Sequence, residues 1–270
     1  MVYYNCGKES PEKTNTKGSF NFMKICVFDT ETTSLDKPFT YNIGYLIADT
    51  DKDKILLKRS FVVEQIWHNL PLFSSAYYAS KRPLYIEEMR ARRTTMDKFG
   101  YICRQMLRDF KQYKVEAAFA YNSPFDEKVF EFNCDWFKCS NPFDTVPIRD
   151  IRGYVHNFVV DNDYKKYCDD HGEYTESGNY STTAQTVYRY FFDEEFEEEH
   201  TALADAEIEY EILKECVNRG ADLKRNYKTY TSIKRNVEKT LTLTDRDKNT
   251  HEFSYNSITI SKDKTKIKLK

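Results

Sequence analysis

The sequence KICVFDTETT occupies positions 24–33 and joins an apolar run to two carboxylates. The apolar run from Ile25 to Phe28 is short and bounded by polar residues, which predicts a buried strand. Side chains two residues apart in an extended chain point to the same side, so Asp29 and Glu31 are expected to project together from the end of this strand. Such a pair can share a divalent cation, although a solvated strand end has the same pattern.

Strands and helices are predicted to alternate on the C-terminal side of this stretch. Further strands are predicted at Ile43–Ala48, Ile55–Val63 and Ala117–Tyr121, and helices at Thr94–Tyr113, from Ser123 onward, at Val155–Cys168, Ala184–Phe191 and Ala202–Val217. Residues 64–93 are irregular and interrupted by prolines, which favours a surface insertion. The alternation predicts an α/β fold with one main core.

Composition restricts the class of protein. The chain has 270 residues, of which 40% are hydrophobic, enough for one large core. No apolar run approaches the roughly 20 residues of a membrane-spanning helix, and residues 1–20 are polar, so we expect no membrane partner and a cytoplasmic location. Seven scattered cysteines suit reduced thiols better than a disulfide framework.

Charged residues are distributed unevenly along the chain. The net charge is −2, but residues 221–270 contain 13 Lys and Arg against 6 Asp and Glu. We therefore predict a flexible leader at 1–22, a catalytic domain at 23–220 and a basic, β-rich C-terminal extension at 221–270. The lysines of the extension are expected either to follow a nucleic-acid backbone or to protect exposed strand edges from aggregation.

Three further residues complete a candidate site. Asp126 follows a predicted strand-to-helix junction, His200 precedes the predicted helix at 202–217, and Asp205 lies about one turn inside that helix. Four carboxylates from three elements are the ligands needed to hold two Mg²⁺ or Mn²⁺ ions about 4 Å apart, an arrangement suited to a phosphodiester substrate. A neutral histidine beside them can accept a proton from water.

Three blocks of the sequence resemble one known family. They are FDTETT at 28–33, AYNSPFD at 120–126 and HTALADA at 200–206. In this order and in these strand and helix contexts, they resemble the DEDDh 3′-to-5′ exonucleases, the family of bacterial proofreading subunits, RNase T and oligoribonuclease. The resemblance covers roughly residues 24–220. It implies an RNase H-like mixed five-stranded sheet flanked by helices. The basic extension is predicted, from its own alternation of polar and apolar residues, to be a small β appendage.

The resemblance also assigns roles to individual residues. It implies that two Mg²⁺ or Mn²⁺ ions are held by Asp29, Glu31, Asp126 and Asp205, and that His200 is the general base. Substrate contacts are expected from Thr30, Thr32, Thr33, Leu35 and Asn122. Two of these have alternatives, because Leu35 can instead pack in the core and Asn122 can instead fix the strand-helix turn. Ser34 departs from the glycine that is usual in the family, which leaves the approach of the substrate backbone open there.

The expected function is hydrolysis of single-stranded DNA or RNA from the 3′ end, releasing nucleoside 5′-monophosphates. Two alternatives are a proofreading subunit bound to a polymerase and a non-catalytic nucleic-acid-binding module. A homodimer is also compatible with the sequence, and DNA is not distinguished from RNA, since that choice depends on contacts to the 2′-OH.

Two weaker patterns have competing interpretations. Cys134, Cys139, Cys168 and His171 can be drawn as a zinc site, but their loose spacing equally suits ordinary buried thiols. The arginine cluster of residues 90, 92 and 93 can contact phosphates or form a solvated helix face.

Overall fold

The computed structural model describes residues 23–192 and 195–235, together with the shorter stretches 239–244, 248, 250–255, 258–260 and 267–269. The predicted leader at 1–22 lies outside the described residues. None of the helices in the described ranges is both long enough and apolar enough to cross a membrane.

A mixed six-stranded sheet forms the centre of the molecule. Its strands are β1 (Lys24–Thr32), β2 (Thr40–Asp49), β3 (Lys54–Val63), β4 (Thr95–Asp97), β5 (Ala117–Ala120) and β6 (Ile148–Asp150). The order across the sheet is β4-β3-β2-β1-β5-β6. Only β2 runs antiparallel to its neighbours β1 and β3, while the β3–β4, β1–β5 and β5–β6 pairs are parallel. The predicted α/β class and mixed sheet are confirmed, with six strands instead of five.

Helices surround the sheet. They are α1 (Glu64–Trp67), α2 (Leu70–Phe73), α3 (Arg82–Arg90), α4 (Phe99–Tyr113), α5 (Ser123–Phe137), α6 (Ile151–Phe158), α7 (Asn162–His171), α8 (Ala184–Phe191) and α9 (Ala202–Asn218). Short 3₁₀ turns occur at Ala79–Lys81 and Pro142–Thr145. The segment at 64–93, predicted to be irregular, therefore contains three short helices.

Two separate hydrophobic cores lie on the two faces of the sheet. Alternate residues of β1 point to opposite faces, so Cys26 and Phe28 belong to one core and Ile25 and Val27 to the other. Residues of α4 and α5 complete the first core, and residues of α6 and α9 complete the second. Because β1 is covered on both faces, its sequence is a continuous apolar run and does not alternate with polar residues.

Two predicted helices begin or break differently in the structure. The helix predicted at 94–113 starts only at Phe99, because residues 95–97 pair with residues 61–63 of β3 as the parallel edge strand β4. The helix predicted at 155–168 is divided into α6 and α7. Asp161 starts the second of these by accepting a hydrogen bond from the Tyr164 backbone N–H at 2.9 Å.

The C-terminal region begins with a segment that packs on α6. The Thr229 hydroxyl donates to Asp150 at 2.6 Å, and the Tyr230 backbone N–H donates to Nδ1 of His156 at 2.9 Å. A bridge between Tyr180 and Ile233 continues this contact, so the packed body reaches beyond Gly220. Further along, the described backbone forms two antiparallel strand pairs, Lys239–Thr244 with Thr250–Tyr255 and Ile258–Ile260 with Ile267–Leu269.

Candidate active site

The central strand β1 presents Asp29 and Glu31 on the face that α9 crosses. In the sheet register Asp29 lies opposite Gly44 of β2. A Cβ atom added at Gly44 would overlap the backbone of Ala202 and Leu203, so the start of α9 rests directly on the sheet at this glycine. This close approach brings the first turn of α9 next to the two carboxylates of β1.

Asn42 holds the N-terminal end of α9 in place. Its side chain is fully buried and lies opposite Glu31 in the register. The side-chain oxygen accepts the Ala202 backbone N–H at 2.9 Å and the Tyr85 hydroxyl at 3.2 Å. The amide therefore satisfies one of the free N–H groups of the first turn of α9 from the neighbouring element. Neither Asn42 nor Gly44 was singled out from the sequence.

Asp205 completes a cluster of three carboxylates. One carboxylate oxygen each from Asp29, Glu31 and Asp205 lie within 4.8 Å of one another. The Oδ1 atom of Asp205 is buried without a hydrogen-bond partner, one of two such side-chain atoms in the described part of the chain. A buried carboxylate oxygen without a donor is unfavourable, and a bound cation would satisfy it.

Asp126 approaches the cluster from α5. Asn122, in the left-handed conformation at φ 62°, precedes this helix and turns the chain from β5 into it. Asp126 is 2% exposed, and its Oδ1 accepts the Thr30 hydroxyl at 2.7 Å. Burial and then the charge of Asp29 raise the pKa of Asp126, which places Asp126 near Asp29. The structure thus brings three of the four predicted carboxylates within 4.8 Å of one another, with Asp126 bound to Thr30 beside them.

Burial and mutual repulsion raise the pKa values of these acids. Burial is the main cause throughout, and it raises the pKa of Asp29 to about 7. The pKa values of Glu31 and Asp205 rise to about 9, with the charge of Asp29 as the next cause for both. Burial, followed by repulsion from Asp29, also holds the pKa of Asp126 well above its usual range. The described residues near these acids supply too little positive charge to return the pKa values to their usual range.

His200 lies at the edge of the cluster. Its backbone has φ 49°, a left-handed conformation that is uncommon outside glycine. Nδ1 lies 3.5 Å from Oε2 of Glu198, and the imidazole stacks on the Tyr78 ring at a centroid distance of 4.5 Å and an angle of 15°. Burial and then the charge of Lys81 lower the pKa of His200, which favours the neutral imidazole.

Asp29, Glu31, His200 and Asp205 line one cleft. Two further acids in this cleft were not predicted from the sequence. Glu209 lies one turn beyond Asp205 on α9, is 4% exposed and accepts the Tyr121 backbone N–H at 3.2 Å. Glu198 lines the cleft in the acidic stretch before α9. The four-residue spacing from Asp205 to Glu209 was a usable signal, because residues at i and i+4 share a helix face.

Two cations also belong to the site. The Lys81 ammonium donates a hydrogen bond to the Glu199 carbonyl, and its charge counteracts the raised pKa values of Glu31 and Asp205. Arg152 lines the cleft and donates to the Thr182 hydroxyl at 3.4 Å. The arginines proposed from the sequence are not among the described residues that line the cleft, and Arg93 is paired with Glu88 at 2.6 Å.

The predicted substrate residues differ in accessibility. Thr30 and Thr33 are buried, and the Thr30 hydroxyl is bound to Asp126. Leu35 is 76% exposed, which removes the alternative that it packs in the core. Thr32 is partly exposed, and Asn122 both lines the cleft and fixes the turn into α5. Their contacts with a substrate stay predictions.

The zinc arrangement drawn from the sequence is not formed. Cys134 packs in the core on one face of the sheet, whereas Cys168 packs in the core on the opposite face. His171 is exposed, and its Nδ1 lies 2.9 Å from the Tyr167 carbonyl. Spacing along the chain could not show that the sheet separates these residues.

The donor set of the carboxylate cluster fits a hard divalent cation. Carboxylate oxygens are the ligands that Mg²⁺ and Mn²⁺ prefer, and three of them converge here from β1 and α9. A bound positive charge would satisfy the partnerless oxygen of Asp205 and would lower the raised pKa values. Burial and then the charge of Asp29 raise the pKa values of Asp126 and Glu209, which places both acids near the same cluster.

Comparison with known proteins gives similarities to solved structures only. No protein-family model matches the sequence, and no curated protein is significantly similar to it. The nuclease domain of 3′hExo, a DEDDh family member bound to rAMP, is 13% identical with a TM-score of 0.48, covering 78% of this chain and 98% of that one. Escherichia coli Exonuclease I in complex with a dA16 oligonucleotide is 14% identical with a TM-score of 0.45, covering 70% of this chain.

Exonuclease I from Methylocaldum szegediense is 17% identical, with a TM-score of 0.46 and coverage of 71% of this chain. The chain spans 40% of the length of each Exonuclease I structure. These similarities are low, and the function is therefore argued from the residues of this chain.

Proposed function

We propose that the protein is a metal-dependent 3′-to-5′ exonuclease that acts on single-stranded nucleic-acid ends and releases nucleoside 5′-monophosphates. The observation that supports this most strongly is the convergence of the Asp29, Glu31 and Asp205 carboxylates within 4.8 Å, with a partnerless buried oxygen on Asp205. The polarity and the product follow from the resemblance of the three sequence blocks to the DEDDh exonucleases.

The carboxylates define where cations would be held. Asp29, Glu31 and Asp205, together with Asp126, would hold two Mg²⁺ or Mn²⁺ ions. When bound, such ions polarise the phosphodiester and favour ionisation of the attacking water. The chain contributes the fixed positions of its ligands, because Gly44 and Asn42 seat the first turn of α9 on β1.

His200 supplies the proton acceptor. With Nδ1 turned toward Glu198, the neutral imidazole presents Nε2 as the free base. The stacked Tyr78 ring limits rotation of the imidazole, and the lowered pKa keeps it unprotonated near neutral pH. His200 is therefore suited to take a proton from water as it attacks phosphorus.

A non-catalytic binding module is a weaker proposal. Buried acids line the cleft, and a polyanion would be repelled from them unless divalent cations were bound there. A surface evolved only to bind nucleic acid would gain affinity by replacing these acids with neutral residues. Arg152 in the cleft and Lys81, whose charge acts on Glu31, offer positive charge that can attract a phosphate.

The test is hydrolysis of single strands of one sequence, as DNA and as RNA, each labelled at the 5′ end and incubated with Mn²⁺. We expect a ladder that shortens from the 3′ end and the release of 5′-monophosphates. Asp205→Asn, purified in parallel, should give no ladder. Intact substrate with the wild-type protein, or an equal ladder with Asp205→Asn, would contradict the proposal.

A further inference from the structure

Three cysteines meet at the end of α5 that is remote from Asp126. Cys103 lies on α4, Cys134 in the last turn of α5, and Cys139 just beyond that helix. Their three sulfur atoms lie within 4.8 Å of one another. Eight residues of helix separate Asp126 from Cys134, roughly 12 Å along the axis, so this cluster is distinct from the carboxylate site.

A left-handed turn brings the third sulfur into place. Lys138 ends α5 with φ 54° and ψ 54°. The turn folds the chain back, and the Cys139 backbone N–H donates to the Cys134 carbonyl at 3.1 Å. Cys139 is thereby returned over the end of the helix that carries Cys134.

Gly100 provides space on the opposite side. It lies three residues before Cys103 on α4, so both face the same direction. A Cβ added at Gly100 would stand 3.5 Å from Cβ of Cys139 and 4.0 Å from its sulfur. A side chain longer than alanine would therefore enter the volume occupied by the Cys139 side chain.

The chemistry of this cluster selects a thiophilic metal. Three thiolates are ligands for Zn²⁺, and zinc-sulfur bonds of about 2.3 Å in a tetrahedron place the sulfurs about 3.8 Å apart. The observed sulfur atoms, within 4.8 Å of one another, exceed that spacing by no more than about 1 Å. The Arg104 guanidinium lies near Cys139 and would offset the negative charge that three thiolates leave on a zinc complex.

We propose that Cys103, Cys134 and Cys139 bind one zinc ion, with a water molecule as the fourth ligand. On binding, three S–H bonds are broken, three Zn–S bonds form and three protons leave to solvent, with no change in oxidation state. The ion ties the C-terminal end of α5, the helix of Asp126, to α4. It has a structural role and takes no part in hydrolysis.

The other cysteines provide matched controls. Cys168 and Cys216 are fully buried in the core on the other face of the sheet. Among the described residues, neither takes part in a group of three potential metal ligands. A serine at either position removes a thiol as buried as that of Cys103 without touching the proposed ligands.

The experiment measures the metal content of the full-length protein, purified under reducing conditions without chelators. We expect about one zinc per chain, and uptake of Co²⁺ in its place with the near-ultraviolet absorption of a thiolate-to-cobalt charge transfer. Cys139→Ser, at the half-buried position, should lose most of the zinc and this absorption. Cys168→Ser should keep both, and circular dichroism should show that both variants are folded.

Several results would overturn the proposal. One is a folded wild-type protein that contains no zinc and gives no charge-transfer absorption with Co²⁺. Another is equal zinc content in the wild type, Cys139→Ser and Cys103→Ser. A third is a disulfide between two of the three cysteines in protein kept under reducing conditions, seen as a loss of two hydrogens by mass spectrometry. None of these measurements depends on nuclease activity.

Discussion

Two sets of buried carboxylates in this molecule differ in what surrounds them. Asp109 is 2% exposed, and it accepts hydrogen bonds from the Tyr45 hydroxyl at 2.7 Å, from Nε of Arg59 at 2.8 Å and from the Gln105 amide at 2.8 Å. Asp205 is only half-buried as a residue, but its Oδ1 atom is buried without a donor, and its charged neighbours include other acids.

The two places differ in how charge is balanced. The charge of Asp109 is neutralised by its own chain, so its burial stabilises the fold. The acids Asp29, Glu31 and Asp205 repel one another, and Lys81 offsets only part of this repulsion, so their burial opposes folding. The divalent cations of the proposed function would relieve this repulsion.

The largest expected effect is on catalysis. Asp205→Asn removes one ligand charge without changing shape, and we expect hydrolysis to fall by about 10³-fold or more, ~4 kcal/mol in the barrier. Glu207→Gln is the matched control, since Glu207 lies on the same helix but pairs with Lys58 at 3.0 Å. Single-turnover cleavage of a labelled strand measures both. An Asp205→Asn rate within tenfold of wild type would remove this acid from the site.

A smaller loss is expected at the proton acceptor. His200→Ala should lower the rate by about 10²-fold while Mn²⁺ binding, measured by calorimetry, is unchanged. Because the base must be neutral, the wild-type rate should fall as pH drops below the lowered pKa of His200, and this limb should vanish in His200→Ala. Glu198→Gln should cost less than His200→Ala, since it only orients the ring. A normal rate and pH profile for His200→Ala would assign proton transfer to another group.

Removing a carboxylate charge should change stability in opposite directions at Asp109 and at the acid cluster. Asp109→Asn should lower the free energy of unfolding by about 2 kcal/mol, because it leaves the Arg59 charge without its partner. Asp205→Asn should raise the stability of the metal-free protein by about 1 kcal/mol, because repulsion is relieved. Urea denaturation in EDTA and in Mn²⁺ compares them. The prediction would be contradicted if, in EDTA, Asp205→Asn lowered the free energy of unfolding more than Asp109→Asn does.

The dependence of stability on pH should distinguish the buried histidine His156 from the acid cluster. His156 accepts the Tyr230 N–H, and burial, followed by the charge of Arg152, lowers its pKa to about 4. Since this folded-state pKa lies below the unfolded value, its contribution is complete above about pH 6.5 and is lost as pH falls toward 4, on the order of 2 kcal/mol. His156→Gln should flatten this acid limb.

The acid cluster should change stability with pH in the opposite direction. Burial and mutual repulsion raise the pKa values to about 7 for Asp29 and about 9 for Glu31 and Asp205, so the metal-free protein should lose stability as pH rises from the usual carboxyl range of about 4 until it passes these values. Mn²⁺ should remove this loss on rising pH and leave the loss caused by His156 on falling pH unchanged. Thermal melts across pH in EDTA and in Mn²⁺ measure both effects. A loss on rising pH that is insensitive to Mn²⁺ would contradict a metal site.

The local parts of the site could be predicted from the sequence. Asp29 and Glu31 follow an apolar run, and Asp205 lies in the first turn of the clearest helix, so each is marked by its own segment. The position of α9 on the sheet could not be predicted. It depends on Asn42 and Gly44 lying opposite Glu31 and Asp29, and this register follows from pairing between strands.

The short edge strands and the cysteine cluster could not be predicted either, because both depend on contacts between segments that are distant in sequence. β4 and β6 have three residues each, too few to show a period, and they form only because β3 and β5 offer free edges. The cysteine cluster could not be predicted from spacing. Cys134 and Cys139 are close in sequence, but Cys103 comes from another helix on the same face of the sheet, whereas Cys168 lies on the opposite face.

The most direct test is the position of manganese in a crystal of the full-length protein grown with Mn²⁺. Anomalous data collected on both sides of the manganese absorption edge distinguish this ion from zinc at the cysteines. We expect a manganese peak in contact with the carboxylates of Asp29, Glu31 and Asp205. A saturated crystal with no peak there, or with its manganese peak at another group of residues, would show that these acids do not form a metal centre.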